Sequence, residues 1–244
     1  MATAPATPLV RQPGDGTVVL PNLQYFDDFL VGPGYTANNA TVASAQGKFS
    51  ELADMGEWLV TVVDAGADNG ETIALADSAT GGNFVFVTND ADDDLLSCQL
   101  NGEGWTLHAT NRLLFEIRLS ITDISEIDWF VGMAITDTGV LAGTTDRIGF
   151  ECPDSTGDID AVAEKDSTET STDTTVNAVD ATYIVLRMEA TTTNVDYYVD
   201  GTLTTSITTN IPDDEHMTPT MEFRNDGAVA QTVTVDYILV NQPR

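Results

Sequence analysis

Glu126-Ile127-Asp128 sets two carboxylates two residues apart, and on a β-strand, where side chains alternate between faces, that spacing aims both at one side. Paired carboxylates perform glycoside hydrolysis, one as nucleophile and another as general acid, and retention of configuration needs them roughly 5 to 5.5 Å apart. Ser125-Glu126, however, looks like the turn that precedes a strand rather than part of one. The tripeptide therefore reads as an exposed acidic turn before a strand at Trp129, and the chain is expected not to be an enzyme.

Asp90, Asp92 and Asp94 have the spacing of a loop that wraps Ca²⁺ in hard oxygens. The calcium-loop pattern then fails, with Leu95 at its glycine position and Asn101 at its closing glutamate. A solvated acidic turn is the expectation, with a bound ion as the alternative. His108 and His216 are too few for a zinc site, and no Gly-x-Ser-x-Gly, phosphate loop or Cys-x-x-Cys occurs. Asp213-Asp214-Glu215-His216 reads as a polar loop, and Gly102 with Gly104 is too little to imply a nucleotide. Trp58, Trp105 and Trp129 would stack on sugars if exposed, but tryptophan in a β-rich chain is more often core. Cys98 and Cys152 lie in apolar runs and are expected reduced and buried, a single bridge being the alternative. No catalytic, cofactor-binding or metal residue and no cofactor is assigned.

The elements that must position these residues are strands. Leu113 to Ile121 alternates, with Phe115, Ile117 and Leu119 on one side and Glu116, Arg118 and Ser120 on the other. Trp129 to Ile135 is more continuously apolar, and Tyr183 to Glu189 alternates again. Val195 to Val199 and Leu203 to Ile207 flank Asp200-Gly201, the pair that a tight type I′ hairpin turn favours. In Thr232 to Val240 the spacing puts Val233, Val235, Tyr237 and Leu239 on one face, and this last strand is expected to lie beside the first. Pro153 to Ala181 holds eight acids against Lys165 alone, so it is expected to be mostly exposed, with a short edge strand through Ile159, Ala161 and Ala163 in which Val162 breaks the pattern. Residues 1–24 carry Pro5, Pro8, Pro13 and Pro21 and are predicted to form an extended arm, with residues 25–244 a single domain.

With 42% hydrophobic residues in 244, the chain has apolar side chains enough for a proper core. Thirty-nine acids against nine bases, a formal charge of -30, repel phosphate backbones and anionic lipid, so neither nucleic acid nor membrane is an expected partner. Lysine is confined to Lys48 and Lys165, which fits adaptation to salt; attraction to a basic partner is the sharper alternative.

Three stretches, LLFEIRLSITDISEIDWFVGMAITD (Leu113 to Asp137), YIVLRMEATTTNVDYYVDGTLTTSI (Tyr183 to Ile207) and VTVDYILV (Val233 to Val240), together with LQYFDDFL (Leu23 to Leu30), resemble the concanavalin A-like lectin and glucanase superfamily, which includes laminin G-like domains. The resemblance implies an all-β fold, an antiparallel two-sheet sandwich of jelly-roll type. Glycosidases of that superfamily carry Glu-x-Asp-x-Glu on a strand facing the sugar cleft, and here the third carboxylate is missing. The acidic, lysine-poor composition with a Pro- and Ala-rich start also resembles head-surface proteins of tailed bacteriophages. That resemblance implies a non-enzymatic virion protein decorating a capsid, partnered by the major capsid protein and assembled as a homo-oligomer such as a trimer. The alternative is a lectin-like module that binds a glycan.

Overall fold

The computed structural model describes residues 23–27, 40–41, 58–66, 70–78, 81–153 and 156–243. Seventeen strands run through them: β1 (Leu23–Asp27), β2 (Ala40–Thr41), β3 (Trp58–Val63), β4 (Thr72–Ser78), β5 (Gly81–Val87), β6 (Leu95–Leu100), β7 (Trp105–Thr106) and β8 (Leu113–Ile121). There follow β9 (Ile127–Ala134), β10 (Arg147–Cys152), β11 (Asp158–Lys165), β12 (Thr168–Asn177), β13 (Ile184–Ala190), β14 (Val195–Val199), β15 (Thr202–Ile207), β16 (His216–Asn225) and β17 (Thr232–Gln242). Among the described residues the helical positions are a single 3-10 turn, Ile124–Glu126, and Pro153.

The strands form two antiparallel sheets. A nine-stranded sheet runs β15-β14-β13-β8-β17-β5-β4-β2, with β1 also beside β17; an eight-stranded sheet runs β12-β11-β10-β9-β16-β6-β3, with β7 also beside β16. Period-2 alternation explains the core between them. Phe115, Ile117 and Leu119 of β8 meet Ile127, Trp129, Val131 and Met133 of β9, together with Ile148 and Phe150 of β10. Asp200 and Gly201 both have positive φ, 47° and 77°, the backbone that a type I′ hairpin requires.

Three local expectations are corrected. In β17 the register shifts between Val235 and Tyr237, a β-bulge that moves the core face onto Ile238 and Val240 and leaves Tyr237 and Leu239 half-buried. The segment from Pro153 is a hairpin whose outer strand, β12, is the edge, while β11 is largely buried between β10 and β12. Val162 breaks the alternation of β11 because it packs on the opposite side of the sheet, with Phe130, Ala134 and Val140. Leu23 and Gln24, assigned above to an arm, pair with Gln242 and Asn241 in β1; first and last strands do lie side by side, and residues 1–22 of the arm fall outside the described residues.

β9 and β10 approach closely where Gly132 faces Gly149. A Cβ on Gly149 would stand 2.4 Å from the Val131 carbonyl oxygen and 2.9 Å from the Gly132 Cα. Gly149→Ala is expected to cost about 1 to 3 kcal/mol through overpacking. Urea unfolding checks this, and an unchanged midpoint would mean that the strands separate freely.

Candidate functional site

The register carries a second face across the eight-stranded sheet, turned away from the core. Phe130 of β9 stands opposite Glu151 of β10 and Glu222 of β16; Glu151 faces Asp160 of β11, and Asp160 faces Asp173 of β12. In a second row Ala134 faces Arg147, Arg147 faces Glu164, and Glu164 faces Glu169. Directly paired residues share a face, so acids from four strands converge on one surface.

Arg147 anchors that surface. Its guanidinium lies 2.9 Å from Glu151, 2.9 Å from Glu164 and 2.6 Å from Glu169, and 5.4 Å from the centre of the Phe130 ring. Burial pushes Glu151, only 5% exposed, up to about 7 against the opposing pull of Arg147. Asp160 is raised too, by burial first and then by Asp173. A carboxyl that keeps its proton near neutrality is what general-acid catalysis uses.

The connection from 135 to 146 folds over part of this face. Val140 is buried against Phe130, Ala134 and Val162, and Leu141 packs beside it. The Glu222 carboxylate accepts from the backbone N–H of Val140 at 2.9 Å and of Leu141 at 2.8 Å. Gln99 donates to the Ile135 carbonyl at 3.0 Å and accepts from the Asp137 N–H at 2.9 Å. Glu126 and Asp128 do not converge beneath this roof. Glu126 ends the 3-10 turn, and Asp128 is buried in an ion pair with Arg224.

The two histidines meet elsewhere. β7 pairs with the start of β16, setting Thr106 opposite His216, and His108 follows two residues later. Gly104, Thr106, His108, Asn111, His216 and Gln242 line a cavity of about 360 Å³. Counting histidines could not reveal this site, because only the long-range pairing of β7 with β16 brings the two together.

All three tryptophans are core residues, as expected. Cys98 and Cys152 are buried and free; burial pushes both thiols up, Cys152 to about 11, so neither is a nucleophile at neutral pH. Asp213 and Asp214 are exposed and pair with Lys165. Asp90 and Asp92 are exposed, whereas Asp94 is buried and groups with Asp64 and Glu71, which the linear calcium pattern did not include.

No protein-family model matches the chain, and no curated protein matches it in sequence. Solved structures do share its fold. An endo-1,3-β-glucanase from Streptomyces sioyaensis is similar with a TM-score of 0.57 at 13% identity, covering 89% of this chain and 95% of the other. A variant of LamA from Z. galactanivorans, in complex with laminaritriose and laminaritetraose, gives 0.60 at 11% identity, covering 89% and 98%. A non-specific endo-β-1,3(4)-glucanase of family GH16 gives 0.60 at 14% identity, covering 96% and 95%. At these identities the likeness establishes the fold, a concanavalin A-like jelly-roll β-sandwich.

The expectation that the chain is not an enzyme is thereby overturned, since endo-glucanases carry this architecture. That expectation rested on one strand, whereas the acids of the outer face come from β10, β11, β12 and β16, where no single-strand motif could show them. Neither the virion reading nor a capsid partner or trimer finds support in these comparisons; of the two functional readings they favour carbohydrate binding.

Folded Glu151 keeps its proton up to about pH 7, while the unfolded chain releases it near 4.5. Rising pH through that window therefore favours unfolding. Glu151→Gln is expected to lose less stability than the unaltered chain between about pH 5 and pH 7.5. Denaturant titrations at several pH values check this, and identical slopes would show that Glu151 titrates as an ordinary exposed carboxyl.

Proposed function

We propose that this chain is a carbohydrate-binding protein that takes a β-linked glucan in the pocket between His108 and His216. The observation that carries the reading is the set of residues that line that pocket, His108, His216, Asn111, Thr106 and Gln242, the last held in place by its amide N–H donating to the Thr106 carbonyl. Each of these side chains both donates and accepts, as the hydroxyls of a sugar do. About 360 Å³ lies within the size range of small-ligand sites. A neutral polyhydroxylated ligand also suits a chain of formal charge -30, which repels anionic polymers. The glucan-bound complexes of similar fold support the ligand class.

Titration calorimetry with laminaritetraose and with mixed-linkage glucan oligosaccharides tests the reading. Saturable binding is expected, weakened at least about tenfold by the double change Asn111→Ala and His216→Ala, because each lost hydrogen bond contributes about 1 kcal/mol. Absence of binding at millimolar ligand, or equal binding by the variant, would sink it.

Glucan hydrolysis is the second reading, favoured by Glu151 holding its proton near neutrality opposite Asp160. It predicts release of reducing sugar from β-glucan that falls at least about a hundredfold in Glu151→Gln, the usual scale for a general acid. Full activity in that variant would remove Glu151 from the chemistry.

A further inference from the structure

Asp64, Glu71 and Asp94 come from three separate stretches and meet where the chain passes from β3 of one sheet to β4 of the other. β3 and β6 pair up to Val63 opposite Leu95, so the next positions in register, Asp64 and Asp94, are cross-strand neighbours of like charge. Glu71, immediately before β4 in the other sheet, completes the group. One carboxylate oxygen from each lies within 4.8 Å of the other two.

Two features separate this group from an ordinary acidic surface cluster. Glu71 is 0% exposed, its carboxylate lies beside that of Asp94, and neither of its oxygens meets a donor in good hydrogen-bond geometry among the described residues. A native fold seldom leaves a buried carboxylate in that state, and each such group requires an explanation. Asp94, in contrast, is held firmly. Its two oxygens accept from the backbone N–H of Ala65 at 2.8 Å and of Ala91 at 3.1 Å. Its carbonyl oxygen accepts from the N–H of Asn225 at 2.8 Å, and the Asn225 side chain binds the carbonyls of Asn89, Ala91 and Gly227. The turn carrying Asp94 is thus fixed before any ligand arrives, with oxygen lone pairs left to donate.

We propose that Asp64, Glu71 and Asp94 form a calcium-binding site that ties the β3–β4 connection to the turn before β6. Three carboxylates offer up to six hard oxygens and a formal charge of −3, the donor set of an alkaline-earth cation. Calcium–oxygen distances of about 2.3 to 2.6 Å let ligands on opposite sides of the ion stand up to about 5 Å apart, so oxygens within 4.8 Å of one another can share it; magnesium keeps several waters and seldom takes a site built from protein carboxylates alone. The ion removes the repulsion among the three carboxylates and gives the buried Glu71 a counter-charge. This inference is independent of the glycan reading, since none of the three residues lines the histidine pocket.

The test uses the full chain, stripped with chelator and kept at physiological ionic strength so that general screening of the negative charge is already present. Calorimetric titration with CaCl₂ is expected to give one site with a Kd at or below about 1 mM, and the thermal midpoint to rise on calcium addition. Glu71→Gln is expected to weaken binding at least tenfold and to remove most of that rise. The double change Asp90→Asn and Asp92→Asn, on the exposed part of the same turn, should leave both unchanged. The proposal is overturned if the unaltered chain binds no calcium stoichiometrically, or if Glu71→Gln shows the same calcium-dependent rise. Stabilisation by Glu71→Gln in chelator, with no calcium response in the unaltered chain, would instead identify a proton shared between Glu71 and Asp94. An equal response to MgCl₂ would overturn the choice of calcium.

Discussion

Arg147 holds three glutamates at once, and without it the eight-stranded sheet would carry an unbalanced acidic seam through β10, β11 and β12. A chain with nine basic and 39 acidic residues cannot pair its acids one by one. Its arginines stand where carboxylates crowd together or leave water: Arg147 among Glu151, Glu164 and Glu169, Arg224 against Asp128, and Arg112 between Glu189 and Asp196. A buried carboxylate loses several kcal/mol of solvation that only close partners offset, so removing Arg147 would strand Glu151 and Glu164 together. The exposed pairs of Lys165 with Asp213 and Asp214 contribute little by comparison.

The same placement decides which chemistry the sheet offers. Asp128 lies on the outer face of β9, but Arg224 neutralises it and Phe130 beyond it is covered by Val140. Proton-holding character appears instead one strand over, at Glu151, because burial outweighs its arginine. Glu222 has a third role: its carboxylate takes the N–H groups of Val140 and Leu141 and fastens the roof rather than facing a ligand. Three acids in neighbouring register positions thus do three different things, and the difference lies in what covers each one.

Strand periodicity made the fold legible. The alternation of Leu113 to Ile121, the Asp200-Gly201 turn and the neighbouring first and last strands all follow from residue type and spacing, and the structure carries each of them. Legibility failed where a single residue changed phase or a second surface intervened. The bulge before Tyr237 inverts the faces of β17, and nothing in Val-Asp-Tyr announces it. Val162 looked like a flaw in an edge strand because the roof it packs against lies in a different connection. The sites were less legible still. His108 with His216, and Asp64 with Glu71 and Asp94, are assembled by pairing between distant strands. Composition could count these residues but not place them together.

Strand β16 links all of these features. His216 opens it beside the pocket, Glu222 in its second half holds the roof, Arg224 neutralises Asp128, and Asn225 closes it by clamping the turn that carries Asp94. Ten residues of strand span about 30 Å, so the histidine pocket and the acidic turn sit at opposite ends of one rigid element. Changes at sites this far apart, with no shared partner, act additively on stability. A ligand at one end therefore alters affinity at the other only if β16 itself has two arrangements. Its pairing with β9 runs unbroken from Thr218 to Asn225, and the register there shows no bulge through which a second arrangement could slip.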